Sequence, residues 1–90
     1  ENCDMIQSLS QILSLFLHLD HRTTKQYCDL LLICKNLLLL DLARDLFEKA
    51  KEDACLNESV YSYMIGVYAE GYEYDSALKI MKEMKHRGFS

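Results

Sequence analysis

A chain of 90 residues, 50% of them hydrophobic, has the size of one small packed domain. It contains no proline and only three glycines, a composition typical of an all-α protein. Its 14 acidic and 10 basic residues give a formal net charge of −4, which argues against strong nonspecific binding to a polyanion, although one face could still be basic.

Apolar runs such as 37–40 are far too short to cross a bilayer, and no charged-then-apolar leader precedes them. We therefore expect no membrane association. The four cysteines show no CxxC pair, so we expect free thiols of an intracellular, reducing compartment such as the cytoplasm or an organelle matrix, with metal binding as the alternative. Because the first residue is Glu1 rather than Met, we also expect the chain to be part of a longer protein.

The first predicted helix covers residues 4–19 and begins at Asp4, with Gln7 three positions later. Polar residues 20–23 then interrupt the apolar periodicity. The stripe on this helix consists of Met5, Leu9, Ile12, Leu13 and Phe16.

A second helix is predicted over residues 24–35, where Thr23 and Gln26 resemble a capping box. It is apolar over much of its circumference, which is typical of a helix in the middle of a stack. Asn36 is predicted to end it, and Asp41 to cap the third helix, at about residues 40–53.

The last two predicted helices cover residues 58–70 and 76–87. We expect Asn57 to cap the first of them, Gly71 to supply a left-handed stop and Asp75 to cap the second. All connections are only a few residues long, which forces neighbouring helices to be antiparallel.

An interval of 34 residues relates the last third of the chain to the middle third, since Tyr61 and Ile80 correspond to Tyr27 and Leu46. Such an interval is typical of stacked helical hairpins that cover one another's apolar faces. We therefore predict an all-α fold, an α-solenoid segment of five antiparallel helices. It would comprise about two and a half helix-turn-helix repeats, namely 4–19 (the second helix of a preceding repeat), 24–57 and 58–90.

Residues 58–90 have an early tyrosine, a glycine in the turn and a Lys-x-x-Gly ending. The residues of this pattern are Tyr61, Met64, Ile65, Gly71, Ala77, Leu78, Ile80, Met81, Met84, Lys85 and Gly88. With them the segment resembles a pentatricopeptide repeat, and residues 24–57 resemble a weaker copy. Two features depart from that family. The interval is 34 residues, the tetratricopeptide length, rather than the 35 of a pentatricopeptide repeat. In addition, Glu70 and Asn36 stand where a lysine is common.

The resemblance implies recognition of single-stranded RNA, one base per repeat, by side chains of the first helices and of the repeat ends. Only Cys28 and Asn57 form a complete base-reading pair, and the only cation expected on this face is Lys25. The RNA-binding residues that the resemblance implies are Lys25, Cys28, Asn57, Ser59 and Ser62.

Tyrosines are concentrated between residues 61 and 74. Tyr61 and Tyr68 lie on the apolar stripe and are expected in the core, whereas Tyr63, Tyr72 and Tyr74 lie off it and are candidates for binding a protein partner.

No nucleophile elbow, phosphate-binding loop or paired-carboxylate setting is found in the sequence, so we expect no enzyme activity and no cofactor. The resemblance favours a binding module that contributes to RNA recognition by a larger repeat protein. The alternative is a scaffold that binds a peptide or a partner helix, and exposed ends of the stack could also self-associate.

Overall fold

The structure is a computed structural model that describes the backbone of residues 2–89 and the side chains of residues 7–9 and 11–89. Within this part of the chain all regular secondary structure is α-helical and there is no strand, which confirms the all-α prediction. The helices are α1 (Asn2–Leu17), α2 (Thr24–Leu37), α3 (Leu40–Glu52), α4 (Glu58–Glu70) and α5 (Tyr74–His86). The side chains of Asp4 and Met5, which the sequence assigned to the cap and the stripe of α1, lie outside the described residues.

α2 and α3 form one helical hairpin, and α4 and α5 form the next. α2 packs against α3 and α4, and α4 packs against α3 and α5. None of the described helices is both long enough and apolar enough to cross a bilayer.

The caps predicted for α2 and α4 are confirmed. Thr23 and Gln26 form a reciprocal capping box: the Gln26 N–H donates to Thr23 Oγ1 at 3.2 Å, and the Thr23 N–H donates to Gln26 Oε1 at 2.9 Å. The Val60 N–H donates to Asn57 Oδ1 at 2.9 Å. Both caps satisfy backbone donors that the first turn of a helix leaves without partners.

The predicted boundary between α2 and α3 is wrong in detail. Asn36 lies inside α2, which ends at Leu37 and is followed by Leu38 in the left-handed conformation (φ 56°). Asp41 lies inside α3 and pairs with Arg44 at 2.6 Å, because α3 begins one residue earlier, after Leu39. Backbone hydrogen bonds rather than polar side chains therefore close this turn.

The predicted left-handed stop at Gly71 is also wrong. Gly71 has φ −89°, and the left-handed residue is the next one, Tyr72, with φ 61°. A glycine at position 71 avoids crowding instead, because a Cβ atom there would lie 3.0 Å from both terminal methyl groups of Leu40.

Asp75 does not cap α5. The helix begins at Tyr74, after Glu73, and the Glu73 side chain makes no capping hydrogen bond. Asp75 instead lies in the first turn of α5, where its negative charge interacts favourably with the helix dipole.

The backbone repeats at the same 34-residue interval as the sequence. Left-handed residues follow the four helices α2 to α5, at Leu38, Ala54, Tyr72 and Gly88. The ends of α2 to α5 have the same closing hydrogen bond, Leu39 N to Cys34 O (2.9 Å), Cys55 N to Ala50 O (2.9 Å), Glu73 N to Tyr68 O (2.8 Å) and Phe89 N to Met84 O (3.0 Å). These are Schellman-type closures.

The two most deeply buried aromatic residues are also 34 positions apart. Tyr27 and Tyr61 are both fully buried. The ring of Phe16 packs edge-on against Tyr27 at 5.1 Å between centroids, and Phe47 packs edge-on against Tyr61 at 5.4 Å. Tyr61 is therefore a core residue, as predicted, while Tyr68 is half-buried against the core. In each hairpin, a tyrosine of the first helix thus packs against an aromatic ring of the helix that precedes the hairpin.

Candidate ligand-binding groove

An open groove of about 580 Å³ lies along the first helices of the two hairpins. Lys35 of α2 and Glu58, Ser59, Ser62 and Tyr63 of α4 line it. The α4 residues share one face because they are spaced three or four positions apart on a helix. The groove is therefore a polar surface with one basic, one acidic and one aromatic side chain.

Lys35 reaches this groove across a glycine. A Cβ atom at Gly66 of α4 would lie 3.4 Å from both Cδ and Cε of Lys35, so the bare helix surface there accommodates the aliphatic stem. The Lys35 ammonium forms no ion pair with any side chain that the structure describes. A lysine whose stem is packed and whose charge is available suits an anionic ligand.

The cation expected on this face, Lys25, behaves differently. Its Nζ lies 3.0 Å from Oδ2 of Asp29, one helical turn away, and both side chains are largely exposed. This ion pair partly neutralises Lys25, which does not line the groove. Lys35 is the cation that sequence reasoning missed, although Gly66 inside a helix was a signal that another group approaches α4 closely.

Of the RNA-binding residues that the resemblance implied, Ser59 and Ser62 line the groove, whereas Lys25, Cys28 and Asn57 do not. Asn57 is exposed, but its Oδ1 is already occupied as the cap of α4. Cys28 is half-buried against the core, and burial raises the pKa of its thiol.

The three candidate partner-binding tyrosines are divided between two surfaces. Tyr63 is half-buried in the groove. Tyr72 and Tyr74 are 79% and 59% exposed and pack edge-on against each other, with 6.3 Å between ring centroids, at the connection between α4 and α5. They form a second, separate aromatic surface.

An ion-pair network that the sequence did not indicate lies beneath the connection from α1 to α2. Arg22 binds both carboxylate oxygens of Asp53, at 2.5 and 3.0 Å, and donates to the backbone carbonyls of Leu17 (2.6 Å) and Leu19 (3.0 Å). The Tyr27 hydroxyl donates to the same carboxylate. The hydrogen bonds from Arg22 and Tyr27 lower the pKa of Asp53 to about 2.

A second network joins α3 to α5. Lys51 Nζ of α3 lies 3.1 Å from Oε1 of Glu83 of α5, and the Tyr61 hydroxyl donates to Oε2 of Glu83 at 2.8 Å. Both networks hold hairpins together rather than face the groove. Among the described side chains, no group of three or more His, Cys, Asp or Glu is arranged to hold a metal ion.

Comparison with known proteins finds no family model, no curated protein and no solved structure that matches the chain.

Proposed function

We propose that this chain is a non-catalytic binding module of the pentatricopeptide type, which contributes to single-stranded RNA recognition by a larger repeat protein. The observation that carries the proposal is that Lys35, Ser59, Ser62 and Tyr63 line one open groove on the first helices α2 and α4.

Each of these side chains supplies an interaction that unpaired RNA uses. The Lys35 ammonium suits a backbone phosphate. The hydroxyls of Ser59 and Ser62 both donate and accept, so they suit a base edge or a 2′-hydroxyl group. The half-exposed ring of Tyr63 offers a stacking surface, and such stacking contributes about 1–3 kcal/mol per base.

The charges around the groove limit the affinity. Glu58 lines the same groove, and the net charge of the chain is −4. Because one lysine neutralises one phosphate, we expect weak binding. The logarithm of the association constant should fall with the logarithm of the salt concentration, with a slope of roughly −0.7.

The proposal is tested by fluorescence anisotropy with 5′-labelled single-stranded RNA oligonucleotides. Lys35→Glu should weaken binding about tenfold, because it removes a charge-assisted contact and adds a repulsive one. Lys79→Glu is the matched control, since it makes the same charge change at an exposed position of α5 away from the groove. Equal losses in both variants, or no binding by the unchanged chain, would contradict the proposal.

The alternative function, a protein-binding scaffold, is favoured by the exposed pair of Tyr72 and Tyr74. Exposed tyrosines are enriched where proteins bind proteins. A photo-crosslinking residue placed at position 63 or at position 72 distinguishes the two functions in cells. RNase-sensitive adducts at 63 support RNA binding, whereas RNase-resistant protein adducts confined to 72 support the scaffold.

A further inference from the structure

The turns inside the two hairpins lie side by side and expose large apolar side chains. They are neighbours because Gly71 of the second turn packs against the side chain of Leu40, at the start of α3. Leu38 is 53% exposed in the first turn, and Tyr72 is 79% exposed in the second. Tyr74, 59% exposed, packs edge-on against Tyr72. We call Leu38, Tyr72 and Tyr74 the turn edge.

Packing of one hairpin on another does not cover the turn edge. Leu38 and Tyr72 occupy corresponding places, 34 residues apart. The α4–α5 hairpin packs against both α2 and α3, yet Leu38 keeps more than half of its surface exposed. The turn edge is therefore a lateral surface of the molecule, separate from the surfaces through which hairpins contact each other.

The backbone of the turn edge disfavours the side chains that it carries. Leu38 and Tyr72 have φ values of 56° and 61°, in the left-handed region that suits glycine best. The left-handed residues after α3 and α5 are small, namely Ala54 and Gly88. An exposed leucine or tyrosine in this conformation adds little to the stability of the fold. We therefore expect these two side chains to serve a contact outside the chain.

The charges beside the tyrosine rings are all negative. Glu70, Glu73 and Asp75 are exposed, and none of them forms an ion pair with a side chain that the structure describes. No basic residue occurs between positions 70 and 78. The faces of tyrosine rings also attract cations. The turn edge is thus complementary to a cation and repels the phosphates of RNA.

We propose that the turn edge docks a segment of a partner protein that combines arginine with aliphatic residues. A guanidinium group of the segment stacks on the exposed face of Tyr72 and donates to Glu70 or Glu73. An aliphatic side chain of the same segment covers Leu38. Because none of these residues lines the groove assigned to RNA, the two ligands can bind at once.

The first test is an NMR titration of the ¹⁵N-labelled chain with the synthetic peptide Gly-Arg-Leu-Gly-Arg-Leu-Gly, blocked at both ends. Amide signals of residues 70–75 and of Leu38 should shift. The matched peptide has citrulline in place of arginine, which keeps the shape and removes the charge, and it should bind about fivefold more weakly. No binding, equal binding of the two peptides, or shifts confined to the groove would overturn the proposal.

A substitution at position 72 separates binding from folding. Tyr72→Gly removes the ring and also relieves the left-handed conformation, so its Tm should not fall. Its affinity for the arginine peptide should nevertheless fall about tenfold. Ala54→Gly is the matched control, because it relieves the same conformation away from the turn edge, and it should leave the affinity unchanged. Equal affinities of Tyr72→Gly and the unchanged chain would overturn the proposal.

Charge variants test the carboxylates. Glu70→Gln and Glu73→Gln should each weaken binding of the arginine peptide about twofold. Asp45→Asn, which removes one exposed charge from α3, should leave it unchanged. Equal effects of all three substitutions would reduce the attraction to net charge and overturn the proposal.

Two last measurements distinguish other occupants. Tyr72→Gly should leave RNA binding unchanged in the anisotropy assay, so that failure of either proposal does not depend on the other. If this variant loses RNA binding, the turn edge belongs to the RNA site and the proposal is wrong. If the unchanged chain self-associates in sedimentation and Tyr72→Gly abolishes the association, the occupant is a second copy, which also contradicts it.

Discussion

Arg22 holds Asp53, 31 residues further along the chain, with two hydrogen bonds to the two carboxylate oxygens. The same guanidinium donates to the carbonyl of Leu17, the last residue of α1, so one side chain ties α1 to the end of α3. Because the arginine side chain is only 10% exposed and its hydrogen bonds are fixed in geometry, this contact differs from an ordinary surface ion pair.

Replacing Arg22 with lysine should loosen α1 selectively. A lysine keeps the charge but cannot bind both carboxylate oxygens and the Leu17 carbonyl together. We expect faster amide hydrogen exchange in α1 and unchanged exchange in α4, measured by mass spectrometry. Arg44→Lys is the control, because the exposed Arg44–Asp41 pair should contribute little. Equal acceleration in all helices of the Arg22 variant would contradict a local role.

The stability of the fold should depend on pH through Asp53. Its folded-state pKa is lowered to about 2 by the hydrogen bonds from Arg22 and Tyr27, below the value of about 4 for an unfolded chain. A group with a lowered folded pKa contributes stability that is fully present above the unfolded value and is lost as the pH falls through the folded value. Urea unfolding at pH 5 and at pH 2.5 should therefore show a larger loss for the unchanged chain than for Asp53→Asn, and parallel losses would contradict this.

Ala54→Gly should stabilise the protein. Ala54 has φ 56°, a left-handed conformation that costs an L-residue with a side chain about 1–2 kcal/mol, and the corresponding position in the next hairpin is Gly88. After the entropy loss specific to glycine, we expect a gain of about 0.5–1 kcal/mol in the free energy of unfolding, measured by chemical denaturation. Ala69→Gly, inside α4, is the control and should cost a similar amount instead.

The hydroxyl of Tyr61 should matter more than that of Tyr68. Burial, with the hydrogen bond to Glu83, raises the pKa of Tyr61 to about 12, so the hydroxyl stays a donor to Glu83 over the neutral range. Tyr61→Phe should reduce the free energy of unfolding by about 1 kcal/mol. Tyr68→Phe removes a hydroxyl that makes no hydrogen bond with any described group, so it should have a smaller effect. Equal losses would show that the Glu83 hydrogen bond contributes nothing.

Gly71→Ala should destabilise the protein by crowding rather than by backbone strain. The φ of −89° suits alanine, but the new methyl group would lie 3.0 Å from Leu40. We expect a loss of about 1–2 kcal/mol. In a Leu40→Ala background the same substitution should cost much less, which a double-mutant cycle measures. A cost that does not depend on residue 40 would assign the effect to the backbone.

Sequence reasoning succeeded where an interaction is local. The caps at Thr23 and Asn57 were predictable, because in each case the acceptor side chain and the backbone donor are three residues apart. It failed at Asn36 and Asp75, because those helix boundaries are set by left-handed residues and backbone hydrogen bonds that have no strong side-chain signature. The shared face of Ser59 and Ser62 was likewise predictable, whereas Lys35 joins them only because α2 packs beside Gly66.

The amino-acid sequence by itself determined the helices and the 34-residue interval between hairpins, because helical periodicity and capping depend on residues within one turn of each other. The tertiary structure alone decided which distant groups meet, such as Arg22 with Asp53 and Lys51 with Glu83. These contacts depend on the distance and angle at which the helices pack. The helical pattern of the sequence does not specify that geometry, because many different side chains at the same spacing give the same pattern. The charge of the groove follows from that packing.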